Sequence, residues 1–327
     1  IAYLAAVSWS APAVGLYQSL RCHCEGASRT RPVMLLACVA FLINIPLDYL
    51  FVFGGLGIPA LGGEGCGWAT SLVCWITLTL AWWYVRHQGA RQRLPMLHSQ
   101  WVAPQLPKLR YLLTLGIPVG LAIFFEVSLF SLVSIMVSRY GTETLAGHQV
   151  AYSVTSSIYM IPLAIGMAIS VRTGFLLGAG EPRHARFAAF CGIALAGLSA
   201  LATGALLLLL RTPIASLYSD NETVLTLAAH LMVLAVLFQV PDALQVSLSG
   251  ALRAYRDTRA IMLATALAYW VIGLPLGMAL AEGVGGLPPL GVTGYWSGLI
   301  AGLSAAAVLL ALRLRRTARR HATSRPP

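Results

Sequence analysis

The chain has 327 residues, 58% hydrophobic and only 10% charged, with mean hydropathy +0.76 and formal net charge +11. A water-soluble domain of this composition would expose large apolar patches, so a soluble fold is excluded and an all-α polytopic membrane protein is expected. The net charge by itself would also suit a nucleic-acid binder, but the positions of the basic residues account for it without one.

In chain order, nine apolar segments have the roughly 20 residues a spanning helix needs: about 1–20, 33–53, 66–85, 112–138, 149–177, 187–210, 224–252, 260–281 and 292–312. The loops between them are short except for 86–110, which carries three Pro and five Lys/Arg and is read as a linker between two bundles. Nineteen of the 22 Lys/Arg fall on alternating loops of one side, including Arg253, Arg256 and Arg259. Arg139 and Arg211 fall on the other side, and Arg172 lies near a helix end. This asymmetry places the linker and the Arg-rich C-terminus in the cytoplasm. The six Cys sit in or beside apolar segments and read as small buried hydrophobes rather than a disulfide framework.

Residues 57–65 (GIPALGGEG) and 286–294 (GLPPLGVTG) share the pattern G-[IL]-P-x-L-G-x-x-G at an offset of 229. The same offset maps Pro12 onto Pro241 and Pro46 onto Pro275. The matched helices lie six apart, so both copies run the same way through the membrane, as in transporters built from parallel repeats. The second copy is whole and the first has only its last three helices. Twelve helices in two pseudo-symmetric six-helix lobes are therefore expected, with nine visible. Residues 1–85 hold the last three helices of the N-terminal lobe, 86–110 the cytoplasmic linker, 111–316 the complete C-terminal lobe and 317–327 a cytoplasmic tail.

Three acids lie within spanning segments: Asp48, Glu126 and Asp242. A carboxylate at the bilayer centre costs about 2.5–3.5 kcal/mol on insertion scales, so intramembrane acids point to ion or substrate paths. Glu126 sits near the middle of 112–138. Asp242 follows Pro241, whose ring removes a backbone donor and predicts a loosened, oxygen-rich stretch. The two can hold Na⁺ through oxygens or share a proton. Asp48 lies nearer its helix end and reads as an interface group. Segment five offers Ser153, Ser156 and Ser157 on one face, Tyr159 partway down, and His148 with Gln149 at its outer end. Aromatics and an amide facing a cavity suit flat cationic molecules. There is no Walker A loop, no H-E-x-x-H and no G-x-S-x-G, so an energy source would be an ion gradient, and neither enzymatic activity nor a bound cofactor is expected.

The chain resembles the multidrug and toxic compound extrusion (MATE) transporters, in their NorM-like bacterial branch. The resemblance is carried by LGIPVG…E at 115–126, GHQVA at 147–151, MIPLAIGMAISVRTG at 160–174, PDALQV at 241–246, ALRAYRDTR at 251–259 and LRCHCEG…TRP at 20–32. It covers residues 1–316 and implies a monomeric inner-membrane antiporter that exports cationic lipophilic drugs in exchange for Na⁺ or H⁺. It implies cation coupling at Glu126 and Asp242 with Tyr159 beside the ion, and a drug site lined by Gln149, Phe130 and Asp220. Ser153 stands where the branch usually has Asn. The alternatives are a flippase for lipid-linked precursors, which would call for a wide basic cavity, and a membrane-embedded enzyme, which the scattered His residues do not support.

Overall fold

The computed structural model describes residues 2–27, 30–55, 59–91, 105–284 and 288–323, which are helical nearly throughout. Most of the linker, the first two residues of each nine-residue repeat motif and the end of the tail lie outside the described residues. The chain divides into two compact units, Ile1–Pro104 and Gln105–Pro327.

The first unit contains α1 (Ala2–Ser8), α2 (Ser10–Gly26), α3 (Thr30–Phe53) and α4 (Gly63–Arg91), with α4 packed against the other three. The first apolar segment is thus a broken pair rather than one helix. Pro12 is the cause: its ring conflicts with the carbonyl one turn earlier, that of Ser8, and the helix restarts at Ser10. The hydroxyls of Ser8 and Ser10 donate to Ala5 O and Val7 O, both at 2.7 Å, and so cover carbonyls at the break. The other eight segments form single spans long and apolar enough to cross a bilayer.

The second unit contains α5 (Leu106–Val137), α6 (Thr142–Gly178), α7 (Pro182–Ser216), α8 (Glu222–Ala254), α9 (Thr258–Ala266), α10 (Leu274–Glu282) and α11 (Val292–Thr323). A π-helical stretch, Leu267–Gly273, joins α9 and α10 into one span. It lies just before Pro275, where the wider turn accommodates the missing donor. Helix α8 is the hub, packed on α6, α7 and α11. Its start is capped by Asn221, whose Oδ1 accepts from Thr223 N at 2.9 Å and Val224 N at 3.4 Å. It continues unbroken through Pro241, so the loosening expected there is absent. Helices packed around it hold the proline in a continuous helix.

Glycines let these helices touch. Cβ atoms added at Gly294 and Gly298 would overlap backbone at Ala281 and Gly277, so α10 and α11 meet along small residues. Gly166 of α6 and Gly250 of α8 form a second close crossing.

The repeat has the same local geometry in both copies. Leu61 N and Gly62 N donate to Phe51 O and Val52 O at 3.1 and 3.2 Å, and Leu290 N and Gly291 N donate to Leu280 O and Ala281 O at 3.0 and 3.1 Å. Gly62 and Gly291 both have φ +56°, a left-handed value that favours glycine. Cβ atoms at Gly65 and Gly294 would meet the backbone of the preceding helix in both copies. The motif therefore encodes one tight helix-to-helix turn used twice.

Many large apolar side chains face outward, among them Phe41, Leu42, Leu198 and Leu209, as lipid contact requires. The same outward apolar faces correct the reading of the cysteines. All six are free, but only Cys24 is buried, while Cys22, Cys38 and Cys191 are exposed.

Candidate functional site

Helices α5, α6, α8, α9 and α11 enclose a cavity of about 420 Å³ in the second unit. Glu126 of α5, Tyr159 of α6 and Asp242 of α8 all line it. Tyr159 Oη donates to Glu126 Oε1 at 3.4 Å, near the long limit for such a bond. Asp242 is only 4% exposed and, among the described residues, no side chain donates to it. The Glu126 charge lies within electrostatic reach of Asp242. Two carboxylates facing one cavity with mostly apolar walls create a strong attraction for a small cation, because the local dielectric is far below that of water.

One wall of the cavity is aromatic. Phe130, Tyr152, His148, Trp296 and Phe238 form a closed circuit of ring contacts with centroids 5.8–6.2 Å apart. Such rings favour a flat or cationic organic guest. His148, near the start of α6 as expected, is only 2% exposed and its ring sits within this wall. Trp296 Nε1 donates to His148 Nδ1 at 3.2 Å, and His148 Nε2 lies 3.1 Å from Ser134 Oγ. Indole is a donor only, so Nδ1 accepts, which assigns the Nε2–H tautomer with Ser134 Oγ as acceptor. Trp296→Phe keeps an aromatic ring but strands the buried Nδ1. It is expected to cost about 1–3 kcal/mol of stability, measured by unfolding in detergent.

The sequence reading missed a polar stripe on α8. Asp242, Gln245, Ser249 and Arg253 follow one another at spacings of three, four and four, and all line the cavity. Arg253, grouped above with the inside-loop basic residues, lies within α8, and its Nε is buried. It forms no ion pair with Glu126 or Asp242, although it feels the Glu126 charge. The heptad-like spacing from Asp242 was the available signal. Charge counting hid it, because a Lys/Arg near a helix end contributes to topology wherever its side chain points.

Phe130 lines the cavity through the aromatic wall. Gln149 and Asp220 do not: both are exposed, Gln149 near the start of α6 and Asp220 beside the Asn221 cap. Asn221 Nδ2 donates to Glu143 Oε1 at 3.2 Å, joining the starts of α6 and α8 on that side. Ser156 lines the cavity, and the hydroxyls of both Ser156 and Ser157 return to Ser153 O at 2.9 Å. Asp48, in the first unit, has a buried Oδ1 without a partner among the described residues.

The MatE family model matches residues 118–279. The chain is 45% identical over 315 residues to multidrug resistance protein NorM of Aliivibrio fischeri, covering 95% of this chain and 68% of that protein. It is 43% identical over 319 residues to multidrug resistance protein PmpM of Pseudomonas aeruginosa, covering 97% of this chain and 66% of that one. The chain thus spans about two thirds of the length of these relatives. Among solved structures it resembles the MATE transporter NorM-NG, solved with a monobody, with TM-score 0.77, 34% identity and coverage of 90% of this chain and 63% of that one. It also resembles the eukaryotic MATE transporter AtDTX14, with TM-score 0.82, 25% identity and coverage of 96% and 70%.

Proposed function

The chain belongs to the MatE family of transporters, and from that premise we propose that it is part of a secondary antiporter that exports cationic lipophilic compounds in exchange for Na⁺ or H⁺. The observation that carries this reading is the meeting of Glu126, Tyr159 and Asp242 in one cavity of a chain 45% identical to a multidrug resistance protein. Cation binding at Glu126 and Asp242 and drug binding on the same protein favour different states, and that differential affinity couples the two flows. The protein works as a transporter rather than as an enzyme, as a monomer, and its only small-molecule requirement besides the drug is the coupling ion.

In this reading Phe130 contacts the drug within the cavity, and Gln149 and Asp220, which lie outside it, contact the drug at the outer mouth. Residues 1–85 belong to the first lobe, 86–110 form the linker, 111–316 the second lobe and 317–327 the tail. The excess of Lys/Arg on one set of loops supports an inner-membrane orientation with the linker and C-terminus in the cytoplasm.

The test is ethidium efflux across a range of pH in the presence and absence of Na⁺. Efflux that stops without Na⁺ at every pH identifies Na⁺ as the coupling ion. Efflux that persists and follows the pH gradient identifies H⁺. Efflux indifferent to both gradients removes the antiport reading.

A further inference from the structure

The α8 stripe contains unspent hydrogen-bonding capacity. Gln245 Oε1, Ser249 Oγ and Arg253 Nε are buried and have no partner among the described residues, and Gln245 and Ser249 are only 3% and 7% exposed. Other hydroxyls lining the same cavity are satisfied within their own helices: Thr155 donates to Ala151 O at 2.7 Å, Ser156 to Ser153 O at 2.9 Å and Thr265 to Ile261 O at 3.0 Å. Ser249 does not take this option. The unpartnered groups on the stripe follow Asp242 in sequence and step toward the Ala254 end of α8. From Asp242 to Arg253 the stripe runs for roughly 16 Å along the helix axis. Polar groups that face a cavity of this size and lack protein partners bind water. Amide and hydroxyl oxygens also suit a hard monovalent cation or a hydrated proton. Arg253 differs: it carries the same sign as the cation, so it is a barrier and not a ligand.

We infer that Gln245, Ser249 and Arg253 form the inner segment of the cation path, a hydrated track between the Glu126–Asp242 pair and the Arg253 end of α8. Gln245 and Ser249 replace part of the ion's hydration shell as it moves. Arg253 ends the track with a fixed positive charge that opposes leak while the acids are unloaded. The lysine- and arginine-rich loops assign that end of α8 to the cytoplasmic side. This inference rests on the antiport reading and deepens it by naming the route.

The test compares Gln245→Leu, Ser249→Ala and their double with the parent protein in liposomes. Equilibrium cation binding is read from intrinsic tryptophan fluorescence during Na⁺ and H⁺ titrations, exchange from ethidium movement after a gradient is imposed, and folding from the melting temperature. In the double, the binding midpoint is expected to stay within about twofold of the parent, and the melting temperature to hold or rise, because unsatisfied polar groups are replaced by apolar ones. Exchange is expected to slow by about tenfold or more, since the ion then crosses a desolvating stretch. Exchange at the parental rate in a folded double overturns the track. If the double does not fold, Ser249→Ala decides, since it removes one oxygen with little change in volume: slowed exchange supports the track and a parental rate overturns it. Arg253→Gln is expected to raise cation leak in the absence of ethidium, and an unchanged leak removes Arg253 from the path. A parent that shows neither cation binding nor cation-dependent exchange overturns the antiport reading before any variant is compared.

Discussion

Asp242→Asn is expected to abolish cation-driven exchange while leaving the protein folded. Asparagine keeps the size and shape of the side chain and removes only the charge. At an effective dielectric near 20, a carboxylate about 4 Å from a cation contributes roughly 4 kcal/mol, so its loss weakens cation binding by about a thousandfold. Glu126→Gln is expected to act in the same direction and to leave Tyr159 Oη an oxygen acceptor in place of the carboxylate. Neither change creates a cavity or a clash. The melting temperature of the cation-free protein should therefore hold or rise, because an unpaired buried charge has been removed. The measurement is ethidium efflux from energised vesicles together with a melting curve. Ion-dependent efflux at the parental rate in Asp242→Asn would take Asp242 out of the mechanism. Loss of efflux with loss of the fold would show that the acid is structural.

Gly250→Ala carries the largest expected effect on stability. A Cβ at Gly250 would overlap the carbonyl of Gly166, which belongs to the α6 backbone and cannot rotate away. Overpacking against side chains typically costs 1–3 kcal/mol, and here the helices themselves must part, so a cost above ~3 kcal/mol is expected. The crossing lies next to the site: Gly166 also faces Val246, and Ser249 and Val246 line the cavity. Pushing α6 from α8 would lengthen the 3.4 Å contact of Tyr159 with Glu126 only indirectly, but it would displace the α8 stripe relative to α6. The expected result is a sharply lowered melting temperature. Gly174→Ala is the control on the same helix pair, because its Cβ would meet only Ala254 Cβ at 4.0 Å, an ordinary contact. Equal melting temperatures for the two variants would show that the α6–α8 crossing tolerates a methyl group.

Much of the candidate site was legible in one dimension. Glu126 and Asp242 stood out because a charge in an apolar run of spanning length is costly and therefore conspicuous. Tyr159 was visible as an aromatic partway down its span, but its place beside the ion entered only through the resemblance, and its contact with Glu126 depends on how α5 and α6 pack. His148 was read correctly along its helix, but position along a helix does not say which way the ring points, so its place in the aromatic wall went unseen. Arg253 was misread for a related reason: its place near a helix end satisfied the charge rule, while its direction was decided by α8 being surrounded by neighbours.

The prolines show the same division between sequence and packing. Pro12, Pro46, Pro241 and Pro275 are paired by the repeat, yet Pro12 follows a break, Pro275 follows a π-helical stretch, and Pro46 and Pro241 sit in continuous helices. A proline dictates a missing donor and a crowded carbonyl. The surrounding packing selects which distortion absorbs them.

By itself, the sequence determined the membrane setting, the order of the spans, the repeated turn and the two costly acids. Each of these follows from local rules: apolar length, the glycine demanded by a left-handed φ, and the cost of a charge in hydrocarbon. Only the tertiary structure decided that Glu126, Tyr159 and Asp242 share a cavity with Gln245, Ser249, Arg253 and an aromatic wall. The α8 residues share a face that their spacing along one helix could have shown, but Glu126, Tyr159 and most of the aromatic wall come from other helices. What they share is set by helix rotation and by glycine-permitted close approach, which no periodicity within a single helix records.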